Sequence, residues 1–242
     1  MTSTKGVSAI EKREETGSVR ADDAVSVYHG YDVVVFDCDG VLLDSNNFKS
    51  GIFRDVLAAH GYPESEIDAF TDFQKRNFGT SRYRLFQAVV DGQFGEVRKV
   101  SCDALIAAFG EMCHSGYVEQ AESPGLRASL DRAQSDGRAL YVVSGSDEEE
   151  LRAVFAARGL TGYFREIYGS PRTKDENMRL VRDAHPPQSR ILFVGDAEAD
   201  MNAARAAGAD FIFMARYSQV RDTLEPRARD AGYVVIEDLR EL

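Results

Sequence analysis

Asp37 and Asp39 stand two residues apart in Phe36-Asp37-Cys38-Asp39-Gly40, directly after the apolar run Val33-Val34-Val35-Phe36. Side chains alternate along a strand with a period of two, so these carboxylates can point the same way around whatever opening lies beyond the strand end. One of them can attack phosphorus and carry an aspartyl-phosphate, and the other can give a proton to the departing oxygen. Two more acids, Asp196 and Asp200 in Gly195-Asp196-Ala197-Glu198-Ala199-Asp200, follow the apolar run Ile191-Leu192-Phe193-Val194. Carboxylate oxygens with few other partners suit Mg²⁺, which keeps several waters and commonly bridges to a substrate phosphate. Ser144 and the amides after it offer hydrogen-bond donors, and Lys174 sets a positive charge against the equatorial oxygens of a transferring group. Gly40 lets the backbone turn away tightly and approach the ligand.

These side chains meet only if the elements that carry them lie side by side. Five short β-branched or aromatic runs are spaced along the chain: Val33 to Phe36, Leu140 to Val143, Ile191 to Val194, Phe211 to Met214 and Val234 to Ile236. Each is followed by a polar residue and a helix-like stretch, a pattern that predicts a doubly wound α/β fold with a parallel sheet covered on both faces. In such a sheet, ligands bind outside the carboxyl ends of the strands, where the acids, Ser144 and Gly145 all fall.

About a hundred residues separate the first run from the second, whereas a crossover needs only a dozen or more. Within that gap Ile52, Phe53, Val56 and Leu57, then Leu85, Phe86, Val89 and Val90, then Leu105, Ile106 and Phe109 recur at helical spacing. The expected organisation is therefore an all-helical insert at 46–119 in a core made of 28–45 and 120–242. The connections near Ser45-Asn46 and Ser123-Pro124-Gly125 would serve as hinges. Residues 1–27 mix charged, Ser, Thr and Gly residues with no apolar period, and are expected to form a flexible tail.

Composition narrows the function further. With 43% apolar and 29% charged residues the chain has the content of an ordinary globular protein. A formal net charge of −11 repels nucleic acid and anionic membranes. No apolar run approaches the roughly 20 residues of a spanning helix, and Met1 to Ser18 has no signal-like apolar region. Three cysteines cannot all pair within the chain, which fits a reduced, cytoplasmic protein.

Structural readings compete at several positions. Ser146 with Glu149 predicts a capping box, which would leave Ser144 free for a ligand, and Thr173 with Glu176 predicts another. Lys174 would then sit in a helix's first turn, where a cation does nothing for the dipole. Cys38 lies between two carboxylates that disfavour its thiolate, so it is expected to be a packing residue. In the insert, Arg76 and Arg82 flank Asn77-Phe78-Gly79-Thr80-Ser81. They would either read an acidic or polyol part of a substrate or flank the helix that starts near Ser81.

Taken together, Phe36-Asp37-Cys38-Asp39-Gly40-Val41-Leu42-Leu43-Asp44-Ser45, the strand ending in Ser144, Lys174 in Ser170-Pro171-Arg172-Thr173-Lys174, and Gly195 to Asp200 resemble the four ordered motifs of the haloacid dehalogenase superfamily. The resemblance is to its phosphatase-like subfamily with a helical cap after the first motif, which includes phosphoglycolate phosphatases and β-phosphoglucomutases. It implies Asp37 as nucleophile, Asp39 as general acid/base, and Ser144, Gly145 and Lys174 as phosphate binders. It implies Mg²⁺ held by Asp37, the backbone carbonyl of Asp39 and Asp196. Asp200 would bind the metal, act through water or orient Lys174. True dehalogenases lack the second carboxylate, so Asp39 points to phosphoryl transfer. Phosphonate-cleaving relatives use a cap lysine, and Lys49, Lys75 and Lys99 are the lysines there, none of them matching that role. The implied activity is hydrolysis of a small phosphorylated metabolite; a phosphomutase or a catalytically silent phosphate-binding module would share the motifs.

Overall fold

The computed structural model describes residues 28–242, and the tail expected at 1–27 lies outside the described residues. Six parallel strands form one sheet: β1 (Val33–Phe36), β2 (Ala139–Asp147), β3 (Glu166–Ser170), β4 (Ile191–Gly195), β5 (Asp210–Met214) and β6 (Val234–Ile236). Their order is β3-β2-β1-β4-β5-β6, all neighbours parallel. The chain's direction of travel across the sheet reverses at β1 and β4, so a crevice opens above their carboxyl ends. Phe36 is level with Val142 on one side and Val194 on the other. That register sets the residues that follow β1 and β4 next to each other.

The apolar runs are continuous because both faces of the sheet are covered. Val34, Phe36, Leu140, Val142, Leu192 and Val194 pack with Leu130, Leu151 and Phe155 from α5 (Leu126–Ser135) and α6 (Glu148–Ala157). The alternate residues Val33, Val35, Tyr141, Val143 and Phe193 pack with Met178, Met201 and Leu224. Those three come from α7 (Lys174–Asp183), α8 (Glu198–Ala206) and α9 (Arg221–Asp230).

β3 was not among the five expected strands. It is an edge strand whose Glu166 is exposed and whose sequence, Glu-Ile-Tyr-Gly-Ser, carries too short an apolar signal to announce itself. Its presence also lengthens β2, because Asp147 pairs with Ser170. The expected Ser146–Glu149 capping box is therefore absent: Ser146 belongs to the strand, and Asp147 caps α6 by accepting from the Glu150 N–H at 3.1 Å. The Thr173–Glu176 box is present, with Thr173 Oγ1 accepting from the Glu176 N–H at 3.2 Å and Glu176 accepting from the Thr173 N–H at 2.7 Å.

Four helices lie between β1 and α5: α1 (Asn46–Ala59), α2 (Glu64–Arg76), α3 (Arg82–Val90) and α4 (Cys102–Val118). They enclose an apolar cluster of their own, centred on Phe53, whose ring lies 5.6, 5.1 and 4.4 Å from those of Phe70, Phe86 and Phe109. Among the described residues no helix is long and apolar enough to cross a membrane. Because Phe53 joins three helices through that cluster, Phe53→Ala is expected to lower unfolding free energy by about 3 to 5 kcal/mol. A urea titration showing a loss under about 1 kcal/mol would contradict this packing.

Candidate active site

Several elements around the crevice contribute a polar side chain at or just beyond a terminus. Asp37 follows β1 directly, and its N–H donates to the Val194 carbonyl at 3.0 Å, which ties it to β4. Asp196 follows β4, Lys174 opens α7, and Asp200 lies in the first turn of α8. Lys174 Nζ donates to Asp37 Oδ2 at 2.8 Å and to Asp200 Oδ1, with all three side chains buried. Asp37 Oδ1 accepts from the Cys38 N–H at 2.7 Å. Asp196 Oδ2 accepts from Asn46 Nδ2 at 2.8 Å. Gly40, at φ +79°, is required here: a Cβ would fall 2.1 Å from Asp196 Oδ2 and 2.2 Å from Asn46 Nδ2.

One oxygen from each of Asp37, Asp196 and Asp200 lies within 4.8 Å of the others. Burial pushes the Asp196 carboxyl well up, and repulsion from Asp37 and Asp200 adds to it. For Asp200, burial dominates over the nearby Lys174 charge and the carboxyl rises to about 7. Burial works to lower Lys174, but the charges of Asp200 and Asp37 override it and hold the ammonium protonated. Asp196 Oδ1 is buried with no hydrogen-bond partner among the described residues. An unmet acceptor inside a crowd of acids fits a hard divalent cation, and these oxygen donors are those that Mg²⁺ takes. Both Asp200 oxygens are already engaged, Oδ1 by Lys174 and Oδ2 by the Ala197 N–H at 3.0 Å. This geometry favours Asp200 as the residue that orients Lys174.

Asp39 turns away from that cluster. Its carboxylate accepts from Ser45 Oγ at 2.5 Å, Lys49 Nζ at 2.8 Å and Ser146 Oγ at 2.5 Å. Burial works to raise this carboxyl, but the Lys49 charge and the hydrogen bonds from Lys49, Ser146 and Ser45 bring it down to about 2. Lys49 also donates to Ser146 Oγ at 2.5 Å and sits 3.7 Å from the centre of the Tyr117 ring. Sequence reasoning gave Ser45, Asn46, Lys49 and Ser146 no place in the site. A signal for the lysine was present, since it lies one turn into the helix that follows the first motif. Cys38 is buried against the Tyr117 hydroxyl at 3.2 Å, and burial followed by the Asp39 charge pushes its thiol up, as expected of a packing residue.

The cleft above these groups opens to solvent and has a cavity volume of about 70 Å³. Ser144, Gly145 and Ser146 form its core-side wall, and Phe53, Gln74, Thr80 and Phe109 are on the insert side. Ser144 Oγ accepts from the Ser146 N–H at 3.2 Å. The insert leans directly on Gly145, where a Cβ would meet the Gly79 carbonyl at 2.7 Å. Of the two candidate insert arginines, Arg82 lines the cleft but is buried in an ion pair with Glu150. Its guanidinium lies 4.3 Å from the centre of the Phe109 ring. Arg76 is not brought into the cleft: it is exposed and lines a separate groove with Lys75, Arg221 and Arg227.

Removing the ammonium with Lys174→Met leaves three buried carboxylates facing one another, and loss of one partner of a buried pair costs about 3 to 5 kcal/mol. Carboxyls raised above their unfolded values bind more protons folded than unfolded between those two values. Stability then falls as pH climbs through that window and returns as pH drops. In metal-free buffer, the deficit of Lys174→Met against the parent is expected to shrink from about pH 8 to about pH 5 as the carboxyls take up protons. Urea midpoints that show the same deficit at both ends would contradict the charge balance described.

Comparison with known proteins supplies context for this geometry. A family model described as haloacid dehalogenase-like hydrolase matches residues 31–208, and one described as HAD-hydrolase-like matches 175–242. A phosphoglycolate phosphatase of Rhodobacter capsulatus is 26% identical over 183 residues, covering 74% of this chain and 82% of its own length. Phosphoglycolate phosphatase 1 of Pseudomonas aeruginosa is 25% identical over 218 residues, covering 87% and 78%. Among solved structures, CbbY from Rhodobacter sphaeroides in complex with phosphate has the same fold. It superposes with a TM-score of 0.70 at 19% identity and covers 88% of this chain and 96% of that one.

Proposed function

The chain belongs to the haloacid dehalogenase-like hydrolase family, and from that premise we propose that it is a Mg²⁺-dependent phosphatase. Its substrate in this reading is a small phosphomonoester, of the sugar phosphate or phosphoglycolate type, and it works through an aspartyl-phosphate on Asp37. The observation that carries the reading is the placement of Asp37: its carboxylate is pinned by Lys174 at 2.8 Å, faces the cleft, and adjoins Asp196 with its unmet oxygen. The names of the phosphoglycolate phosphatases it resembles support phosphomonoester chemistry. Asp37, Asp196 and the backbone carbonyl of Asp39 would hold the metal, which supplies charge neutralisation for the phosphoryl oxygens.

The substrate phosphate docks against Lys174, the Ser144 hydroxyl and the backbone at Gly145. An Asp37 oxygen attacks phosphorus; the phosphorus–oxygen bond to the leaving alcohol breaks as the new bond to Asp37 forms. The leaving oxygen takes a proton from Asp39. Lys49 keeps Asp39 charged before substrate arrives; the incoming phosphate anion raises its carboxyl, because like charges disfavour ionisation, and Asp39 takes up a proton from solvent as the substrate binds. Once it has lost its proton, Asp39 takes another from the water that attacks the aspartyl-phosphate, which releases phosphate and restores Asp37. Ser45, Lys49 and Ser146 fix the direction of the Asp39 oxygens through both steps.

In this reading the insert, 46–119, is a cap that closes on the core of 28–45 and 120–242 and keeps bulk water from the phosphoenzyme. The described cysteines Cys38, Cys102 and Cys113 are all unpaired, which supports a reducing, cytoplasmic setting.

Quenching the protein during turnover of p-nitrophenyl phosphate and reducing it with borohydride should convert Asp37 to homoserine, detected by peptide mass spectrometry. Asp37→Asn is expected to release no phosphate and give no such product; phosphate release by that variant at the parent's rate would sink the proposal. Asp39→Asn is expected to lose about 10²- to 10⁴-fold in turnover of alkyl phosphates, the range supplied by a positioned acid/base, and much less with the aryl ester. Equal losses on both esters would remove Asp39 from the proton-transfer role.

A further inference from the structure

We infer that the substrate's leaving group is a neutral polyhydroxy alcohol, as in a sugar monophosphate, and that it carries neither a carboxylate nor a second phosphate. This inference rests on the phosphatase reading and adds the class of substrate. It comes from where the positive charges of the cleft are committed. Among the described residues that line it, the cations are Lys49, Arg82 and Lys174. Lys174 is held between Asp37 and Asp200 at the phosphate end. An ammonium has three donors. Those of Lys49 meet Asp39 Oδ2 at 2.8 Å, Ser146 Oγ at 2.5 Å and the face of the Tyr117 ring at 3.7 Å. Arg82, buried with 5% exposure, is neutralised by Glu150 and covered on one face by Phe109.

A phosphate at Asp37 would meet Lys174 and Ser144. An anionic group at the other end of the same substrate would meet amides, a hydroxyl and phenyl rings. Gln74 Nε2 donates to Ser50 Oγ at 3.2 Å, and Asn77 Nδ2 donates to the Phe73 carbonyl at 2.9 Å. Their amide oxygens and the Thr80 hydroxyl carry no partner among the described residues and line the cleft. The open amide oxygens receive O–H groups and repel a carboxylate, and the hydroxyl and the remaining amide N–H groups are neutral donors that bring no counter-charge to an anion. Burying an anion without a counter-charge is costly, whereas hydroxyls both donate and accept. Arg82 was the residue through which an acidic group would have been read, and Glu150 already occupies it.

The test uses the full chain with Mg²⁺ and measures kcat/KM for phosphate release from p-nitrophenyl phosphate, a panel of pentose and hexose monophosphates, phosphoglycolate and a sugar bisphosphate. At least one sugar monophosphate is expected to exceed both phosphoglycolate and the bisphosphate by about ten-fold or more, which corresponds to about 1.4 kcal/mol. Preference for phosphoglycolate or the bisphosphate would overturn this inference and leave the phosphatase reading standing. Silence toward every ester, p-nitrophenyl phosphate included, would overturn the phosphatase reading and the inference with it. Glu150→Gln supplies an independent arm, because it releases the charge of Arg82 into the cleft. The ratio of phosphoglycolate to sugar phosphate activity is expected to rise by about five-fold or more in that variant, a typical size for a coupling between neighbouring charges. An unchanged ratio in a variant that melts like the parent would overturn the charge accounting. If the variant does not fold, the panel on the parent protein decides alone.

Discussion

The ammonium group of Lys174 lies buried between Asp37 and Asp200, and the rest of the site depends on this contact. Carboxylates taken out of water in such numbers repel one another and drift toward their protonated forms, as Asp196 and Asp200 do. Lys174 holds Asp37 in place through a direct ion pair, and Asp200 in turn holds Lys174. The fold makes the contact available by placing β1 beside β4 and opening α7 at the same edge. The capping box at Thr173 and Glu176 fixes where α7 begins, and so fixes the first residue of that helix at the crevice.

A second cation, Lys49, does the same for Asp39, but from the opposite side of the cleft. It stands on the first helix of the insert, while Asp39 and Ser146 belong to the core. The Arg82–Glu150 ion pair and the seat of Gly79 against Gly145 also cross from insert to core. These contacts make the orientation of the Asp39 carboxylate, the acid/base of the proposed mechanism, depend on the insert being seated. In the proposed mechanism, chemistry and closure are coupled through named side chains, with no need for a longer route between them.

Much of this site is local in the sequence. Asp37, Ser144 and Asp196 each end a continuous apolar run, and Lys174 follows a helix-capping residue, so a short window around each one carries its signal. The order of the runs along the chain carried the doubly wound sheet. What could not be read locally is set by partners far away. Ser146 looked like a helix cap because the pairing of Asp147 with Ser170, which extends β2, involves an edge strand with almost no apolar pattern. Arg82 left two readings open until a carboxylate 68 residues later was found against it. Lys49 lay in plain view, but its role depends on a hydrogen bond to Ser146, 97 residues away, and on the face of Tyr117. Arg76 has similar sequence surroundings to Arg82, yet faces the groove beside α9 instead.

Lys174 offsets only part of the negative charge at the edge of the sheet, and the unmet oxygen of Asp196 marks where the remaining compensation belongs. Titration calorimetry of Mg²⁺ into the metal-free protein measures this directly. The account predicts a single saturable site in the parent protein and its loss in Asp196→Asn, with the fold retained by circular dichroism. Mg²⁺ binding of the same stoichiometry and affinity in both proteins would contradict it.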